Sequence, residues 1–432
     1  MFLLNPIKME GFEMGNLRAG ASKVDITPYV GIWLCGFGAR FKPSENIYDN
    51  LHARAIVFDD GKENFCMVTC DLLTLDQSSV ETIRKMAQDM TGLKGENIFI
   101  STTHTHSGPL SGHLKGFGPL DTAWVEILEK KIVGAISLAS RNMQDVAVSA
   151  GKGQANVNLN RRGKSAIDRE LGVIRVNRSN GNPLAVIMTY PCHPVIVPWN
   201  THSISADYPG IASALIEKVY NDAIGLFFTG TCGDINPVSI CREYSEVKRI
   251  GTIVGAEALR VSEELTSFNA EVELKATKEM LVLKSQEIPS AEKLQEIVDA
   301  GSQMANIELD WEYGWAKDAL EYAKAGKLSD DVPVEIQVLT LGNEIALVGI
   351  PGEVFVEIGL AIKEKSPFKW TFPIECTNGC VGYMPTRTAF DEGGYEPAMA
   401  FKLFGIYPMD MDVAEKVIDS ASKMVDDLRH ET

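Results

Sequence analysis

Long apolar runs are missing from this sequence of 432 residues. No stretch approaches the roughly 20 apolar residues that a membrane-spanning helix needs, so no transmembrane segment is expected. A basic excess is missing too. Lys and Arg number 41 against 58 Asp and Glu, a net charge of −17, which argues against nucleic acid and anionic membranes as general partners. Only seven histidines are present, and His430 is in the tail, too few for an amidohydrolase-type barrel with its extra ligands. The eight cysteines are scattered through a large chain, which fits reduced, buried thiols better than a disulfide framework. Cys66-x-x-x-Cys70 and Cys376-x-x-x-Cys380 lack the second pair of a usual zinc module, so both read as structural. Internal repeats, low-complexity tracts and linkers are missing. So is a basic leader ahead of an apolar stretch. A cytoplasmic location follows as the expectation, with residues 1–16 a loose tail and 17–432 one domain.

What is present centres on Ile98 to Pro109, I-F-I-S-T-T-H-T-H-S-G-P. Ile98, Phe99 and Ile100 form a short apolar run, as a buried strand would. Ser107, Gly108 and Pro109 then stop any regular element. His104 and His106 thus stand where a core strand runs out into a loop, the usual ligand position in α/β folds. Separated by one residue, their rings share a side if the segment is extended. Two imidazoles so placed make half a divalent-metal site; a loop that only hydrogen-bonds itself is the competing reading.

The same arrangement recurs. Leu184–Tyr190 runs into Pro191-Cys192-His193-Pro194. Leu226–Gly230 runs into Thr231-Cys232-Gly233-Asp234-Ile235-Asn236-Pro237, with Gly233 permitting an unusual backbone angle. Glu344–Val348 runs into Gly349-Ile350-Pro351-Gly352-Glu353. Glu353 either joins the set or complements the first turn of the helix that follows. Asp71, ending the run Phe65–Leu73, is a further ligand candidate or a turn residue. Between these strands lie amphipathic helices, 78–91 with Val80, Ile83 and Met86 in helical spacing, 121–139, 210–221 and 243–265. Residues 271–284 read as a strand pair and 412–428 as a closing helix. Alternating strands and helices predict an α/β fold, a mixed sheet flanked by helices with a metal site at strand C-terminal ends. Two imidazoles and a carboxylate are a common catalytic zinc set with a position open for water.

Taken as a series, Ala19–Pro28 (A-G-A-S-K-V-D-I-T-P), Thr103–Pro109 (T-H-T-H-S-G-P), Asn160-Arg161, the His193 segment, Gly233–Pro237, Pro351-Gly352-Glu353 and Gly382-Tyr383…Tyr395-Glu396 resemble the catalytic domain of the neutral/alkaline (non-lysosomal) ceramidase family. The family is a zinc amidase that cleaves the N-acyl bond of ceramide. The resemblance implies that His104, His193, Glu353 and Tyr383 bind Zn²⁺ and that His106, Arg161 and Tyr395 face the substrate. It departs at the family's serine nucleophile, whose position here is Asn236; Ser239 is three residues out of register. The family's C-terminal β-sandwich domain is not expected within these residues. The expected chemistry is therefore attack by zinc-activated water on an amide. His106 acts as base or oxyanion partner, Arg161 and Asn236 steady the oxyanion, and Asp234 is either a structural residue of its tight loop or a further member of the catalytic set. The expected partner is a small-molecule or lipid-like N-acyl substrate. A metal hydrolase of an ester or other small substrate, and a non-catalytic ligand-binding relative, are the alternatives.

Overall fold

A computed structural model describes residues 15–286, 288–301 and 310–430. The architecture is the mixed α/β one that the strand–helix alternation predicts. An eight-stranded sheet is built from β1 (Arg18–Asp25), β2 (His52–Asp59), β3 (Asn64–Cys70), β4 (Ile98–Thr102), β5 (Gln144–Gln154), β6 (Glu170–Arg178), β7 (Pro183–Tyr190) and β8 (Ile224–Thr229). Its spatial order is β8-β7-β6-β5-β1-β2-β3-β4. Only the two outermost pairs, β3 with β4 and β7 with β8, are parallel. Parallel neighbours need a crossover. Helix α1 (Gln77–Thr91) supplies it on one side and α3 (Asp207–Val219) on the other, while α2 (Thr122–Arg141) leads from β4 to β5. Helix α4 (Tyr244–Glu264) follows β8.

Helix placement follows side-chain pattern. Val80, Ile83 and Ala87 of α1 and Leu128, Ile132 and Ile136 of α2 pack with Ala53, Ala55, Val68 and Ile100 of the sheet in one apolar layer. Tyr208, Ala212 and Ile216 of α3 and Ile250, Val254 and Ala258 of α4 form a second layer with Val186, Met188 and Phe227. The sheet's other face meets a four-stranded sheet of β9 (Leu274–Lys284), β10 (Asp331–Leu341), β11 (Ile345–Gly349) and β12 (Trp370–Ile374). Phe99, Phe228, Leu347 and Phe372 meet in that interior layer. The stretch 271–284 thus holds one long strand, Leu274–Lys284, not a strand pair. Its partner is β10, paired from Leu274↔Leu341 to Lys284↔Asp331.

The large sheet bends until its edges meet. The Thr229 hydroxyl, ending β8, donates to the Thr103 carbonyl beyond β4 at 2.8 Å. Thr69 of β3 likewise donates to the Phe227 carbonyl of β8 at 2.6 Å. Strand β12 closes this join, since Ser101 bridges Thr377 and Gly230 bridges Ile374. Loops that leave opposite edges therefore share one end of the molecule. Among the described residues no helix is long and apolar enough to cross a membrane. The Asp71 carboxylate is engaged with its own strand neighbours: it takes a 2.8 Å bond from the buried Arg54 guanidinium and another from the His52 peptide N–H.

Candidate metal centre

His104, His106 and His193 converge at the join, with their ring nitrogens within 4.8 Å of one another. The route differs from that of an extended H-x-H. Strand β4 ends at Thr102, and His104 has φ 62°, so its backbone turns into the left-handed region. The His104 and His106 rings still meet at 5.0 Å, edge to face. His193 follows β7 between two prolines, and its ring lies 4.9 Å from that of His104. Glu353 does not sit in a helical first turn. It forms a two-residue strand with Val354, paired with Tyr383–Met384, and the next helix, α5 (Val356–Lys365), starts after a Phe355 cap.

Each imidazole is held the same way. Nδ1 of His104 bonds the Leu73 carbonyl at 2.9 Å, Nδ1 of His106 the Gly36 carbonyl at 2.8 Å, and Nδ1 of His193 the Cys232 carbonyl at 2.7 Å. A carbonyl only accepts, so each Nδ1 carries the hydrogen and each neutral ring turns an Nε2 lone pair inward. The Nε2 atoms of His104 and His106 face each other at 3.3 Å. Oε2 of Glu353 lies 3.3 Å from Nε2 of His104 and 3.1 Å from Nε2 of His193. Three inward lone pairs around one carboxylate oxygen repel unless a cation or a proton lies among them. This donor set fits a divalent metal of the zinc type.

Electrostatics favours the same occupant. Burial holds the basicity of His106 well below the usual imidazole range, and the neighbouring His104 and His193 add to the effect. His193 falls to about 4, first through burial and despite its bond to Glu353. Burial opposes the His104 cation as well, but Glu353 and then Glu375 outweigh it and raise His104 to about 9. Burial pushes the Glu353 carboxyl up, yet His104 and His193 together hold it well below the carboxylate range. The centre thus keeps an anion at its middle and admits one proton at neutral pH, the place a metal takes.

Of the three histidines, His106 lines a cavity of about 330 Å³ above the cluster, together with Arg161, Asn236, Tyr383 and Tyr395. The rim is apolar, formed by Phe37, Val195, Ile240, Trp311, Met399 and Leu403. Arg161 donates to Glu396 Oε1 at 2.9 Å and to the Gly233 carbonyl at 2.7 Å, and its guanidinium lies 5.5 Å from the Tyr383 ring. The Tyr383 and Tyr395 rings meet at 5.8 Å. Burial and the adjacent Glu353 push the Tyr383 phenol well above its usual range, against the pull of Arg161. Asn236 presents a buried Oδ1 that has no partner. Asp234 turns elsewhere. Its Oδ1 accepts from the Val356 peptide at 2.9 Å and its Oδ2 from the Asn160 side chain at 2.5 Å, so it pins the loop that carries Asn236 to α5. Ser239 points away as well, donating to Glu246.

Three side chains stand behind the cluster, of which the sequence singles out only Cys376, and that as structural. Glu375 accepts from the Cys232 and Val354 peptides at 2.8 and 3.0 Å and from the Cys232 thiol at 3.0 Å. It therefore braces both the residue that holds His193 and the neighbour of Glu353. Cys376 rests its sulfur 3.4 Å from Nδ1 of His104. Arg40, almost fully buried, donates to the His106 carbonyl at 2.5 Å and to the Ser107 hydroxyl at 3.1 Å. A carboxylate at the end of the apolar run Thr371–Ile374 was the available signal for Glu375. Gly233 corrects another expectation: its φ is not positive. It is needed because a Cβ there would sit 2.6 Å from the Glu353 carbonyl oxygen.

Residues 17–248 match the family model described as neutral/alkaline non-lysosomal ceramidase, N-terminal. Neutral ceramidase B of Dictyostelium discoideum is 27% identical over 253 residues, 51% of this chain and 35% of that protein. Neutral ceramidase of Drosophila melanogaster is 26% identical over 263 residues, 52% of this chain and 37% of that protein. The match thus spans little more than a third of either relative's length. In three dimensions the chain is similar to the crystal structure of neutral ceramidase from Pseudomonas aeruginosa. The TM-score is 0.76 at 19% identity, covering 96% of this chain and 75% of that one. A ceramidase complexed with C2 gives 0.75 at 18% identity, with 96% and 76% covered. At such identities the likeness is one of fold.

Proposed function

This chain belongs to the neutral/alkaline non-lysosomal ceramidase family, and on that premise we propose that it is a metal-dependent hydrolase of an amide, an N-acyl bond, working without a serine nucleophile. The observation that carries the reading is the set of three imidazoles, each held at Nδ1 by a backbone carbonyl, gathered with the Glu353 carboxylate, with His106 among them lining a cavity. His104, His193, Glu353 and the Tyr383 phenol would hold the metal, zinc by donor type. When bound, such an ion lowers the pKa of water and polarises a carbonyl.

The remaining side chains have separate tasks. His106, kept neutral by burial, receives a proton from the attacking water and returns it to the leaving nitrogen. Arg161 is a fixed cation at the cavity wall, and with the Tyr395 hydroxyl it stabilises negative charge on the carbonyl oxygen. Asn236 takes the serine position of the family and cannot be acylated. Its side chain lines the cavity and its Oδ1 is buried there without a partner. A buried acceptor without a partner costs about 1–3 kcal/mol, and a substrate amide N–H satisfies it where an ester cannot. The apolar rim suits the acyl portion of such a substrate.

The test is metal content by elemental analysis of wild type and His104→Ala, followed by a matched panel of amides and esters. About one zinc per chain in wild type, its loss in the variant, and preferential amide cleavage are expected. A wild type that hydrolyses only esters moves the assignment to that bond. Should wild type cleave nothing while Asn236→Ser cleaves amides, direct attack by water is wrong.

A further inference from the structure

The turn Cys376-Thr377-Asn378-Gly379-Cys380 is where the two ligand-bearing segments are tied together. On one side, Thr102 N–H donates to the Cys376 carbonyl and Asn378 N–H to the Ile100 carbonyl, while the Asn378 side chain accepts from Ile100 N–H at 2.9 Å. On the other, Cys376 N–H donates to Gly352, Val381 N–H to Pro351 and Glu353 N–H to Gly382. The first set fixes the strand leading to His104, the second the backbone of Glu353. The turn itself is tightly wound. Cys376, Asn378 and Gly379 have φ of 49°, 58° and 123°, left-handed angles that are strained for the two residues bearing side chains. This winding brings residues four apart into contact, Sγ of Cys376 to Sγ of Cys380 at 3.7 Å. Both are free thiols, Cys376 buried and Cys380 half-buried. Cys376 also touches the back of His104.

We propose that Cys376 and Cys380 are an oxidation site, a dithiol that closes to a disulfide and loosens the metal centre as it does so. The inference about metal rests on the ligand assignment above; the disulfide does not. With a small-molecule disulfide as oxidant the step balances. The Cys380 thiolate attacks one sulfur of the oxidant and expels a thiolate. The Cys376 thiolate then attacks Sγ of Cys380 and expels the second. Each protein thiol gives up its proton to solvent, two electrons pass to the oxidant, and two equivalents of reduced thiol are released. A disulfide needs its sulfurs about 2.05 Å apart, so Sγ of Cys376 must leave its contact with His104 and the turn must tighten. Because both ligand segments hydrogen-bond that turn, His104 and Glu353 shift together.

The experiment treats the purified metal-loaded chain with oxidised glutathione, blocks the remaining thiols by alkylation and digests with trypsin. Residues 370–387 then form one peptide whose only cysteines are 376 and 380. The expected result is this peptide two hydrogens lighter and unalkylated, zinc content down at least several-fold, and both effects reversed by dithiothreitol. Cys380→Ser should keep its zinc under the same oxidant. Full alkylation of the peptide, or a lasting glutathione adduct on Cys380, overturns the disulfide. A disulfide with zinc fully retained overturns the coupling to the metal. If wild type binds no zinc before oxidation, the ligand assignment fails, and the peptide mass alone still decides the disulfide.

Discussion

At the scale of the residue, the histidines are set by what stands behind them. Glu375 is a positioning residue, since its carboxylate holds the Cys232 and Val354 peptides without reaching the cavity. Both peptide N–H groups bond the same oxygen, Oε2, which Glu375→Gln can retain, whereas Glu375→Ala removes both bonds. Removing such a support lowers metal affinity about 10–100-fold. That outcome is expected from competition with a zinc chelator, with melting temperature measured alongside to separate it from unfolding. An affinity within twofold of wild type would reduce Glu375 to packing. The candidate residues themselves were legible because polar side chains at the ends of apolar runs are conspicuous. Four of them, His104, His106, His193 and Glu353, stand in one cluster. Their supports were not legible. Glu375 and Arg40 act through backbone groups far away in sequence and Cys376 through the distant His104 ring, and nothing in local composition names a partner. The pointing of His104 was also misread: with φ 62° it meets His106 through a turn, not through strand alternation.

At the scale of the element, the loop after β8 is the tightest fit in the site. It rests on the Glu353–Val354 strand through Gly233, whose peptide N–H bonds the Val354 carbonyl at 2.8 Å. A methyl group at 233 would stand 2.6 Å from the Glu353 carbonyl oxygen. Gly233→Ala must therefore push the carboxylate-bearing strand away from the histidines. Overpacking of this kind costs about 1–3 kcal/mol. A loss of unfolding free energy of that size, together with weaker zinc binding, is expected from urea titration and chelator competition. Zinc binding unchanged would mean that the loop moves and Glu353 stays. Element boundaries followed well from pattern where a helix had one apolar face, as in α1 and α2. Residues 271–284 were divided wrongly because the centre of β9 is polar and half-exposed. Such a strand gives a broken apolar signal that imitates two short ones.

At the scale of the whole molecule, the centre joins parts of the chain that local structure does not connect. His193 and Glu353 are 160 residues apart, and the family-matched stretch 17–248 contains the histidines without the carboxylate. A metal bound there favours the folded state by mass action, about 4 kcal/mol when free metal is 1,000 times the dissociation constant. Stripping it should lower the melting temperature by several degrees, recovered on adding zinc and not on adding magnesium, which disfavours imidazole. An unchanged transition in calorimetry would mean the cluster holds no structural weight.

The bent sheet has a consequence for how the molecule is made. Its two edges meet through Thr229 and Thr103, and Glu353 and Tyr383 arrive only with the strands that close this join. A chain growing from its N-terminus emerges from the ribosome with His104, His106 and His193 long before either oxygen ligand exists. On the proposed ligand set, metal captured at that stage would have nitrogen donors alone and no enclosing wall. Selection of the ion would therefore wait until Glu353 and Tyr383 have folded into place.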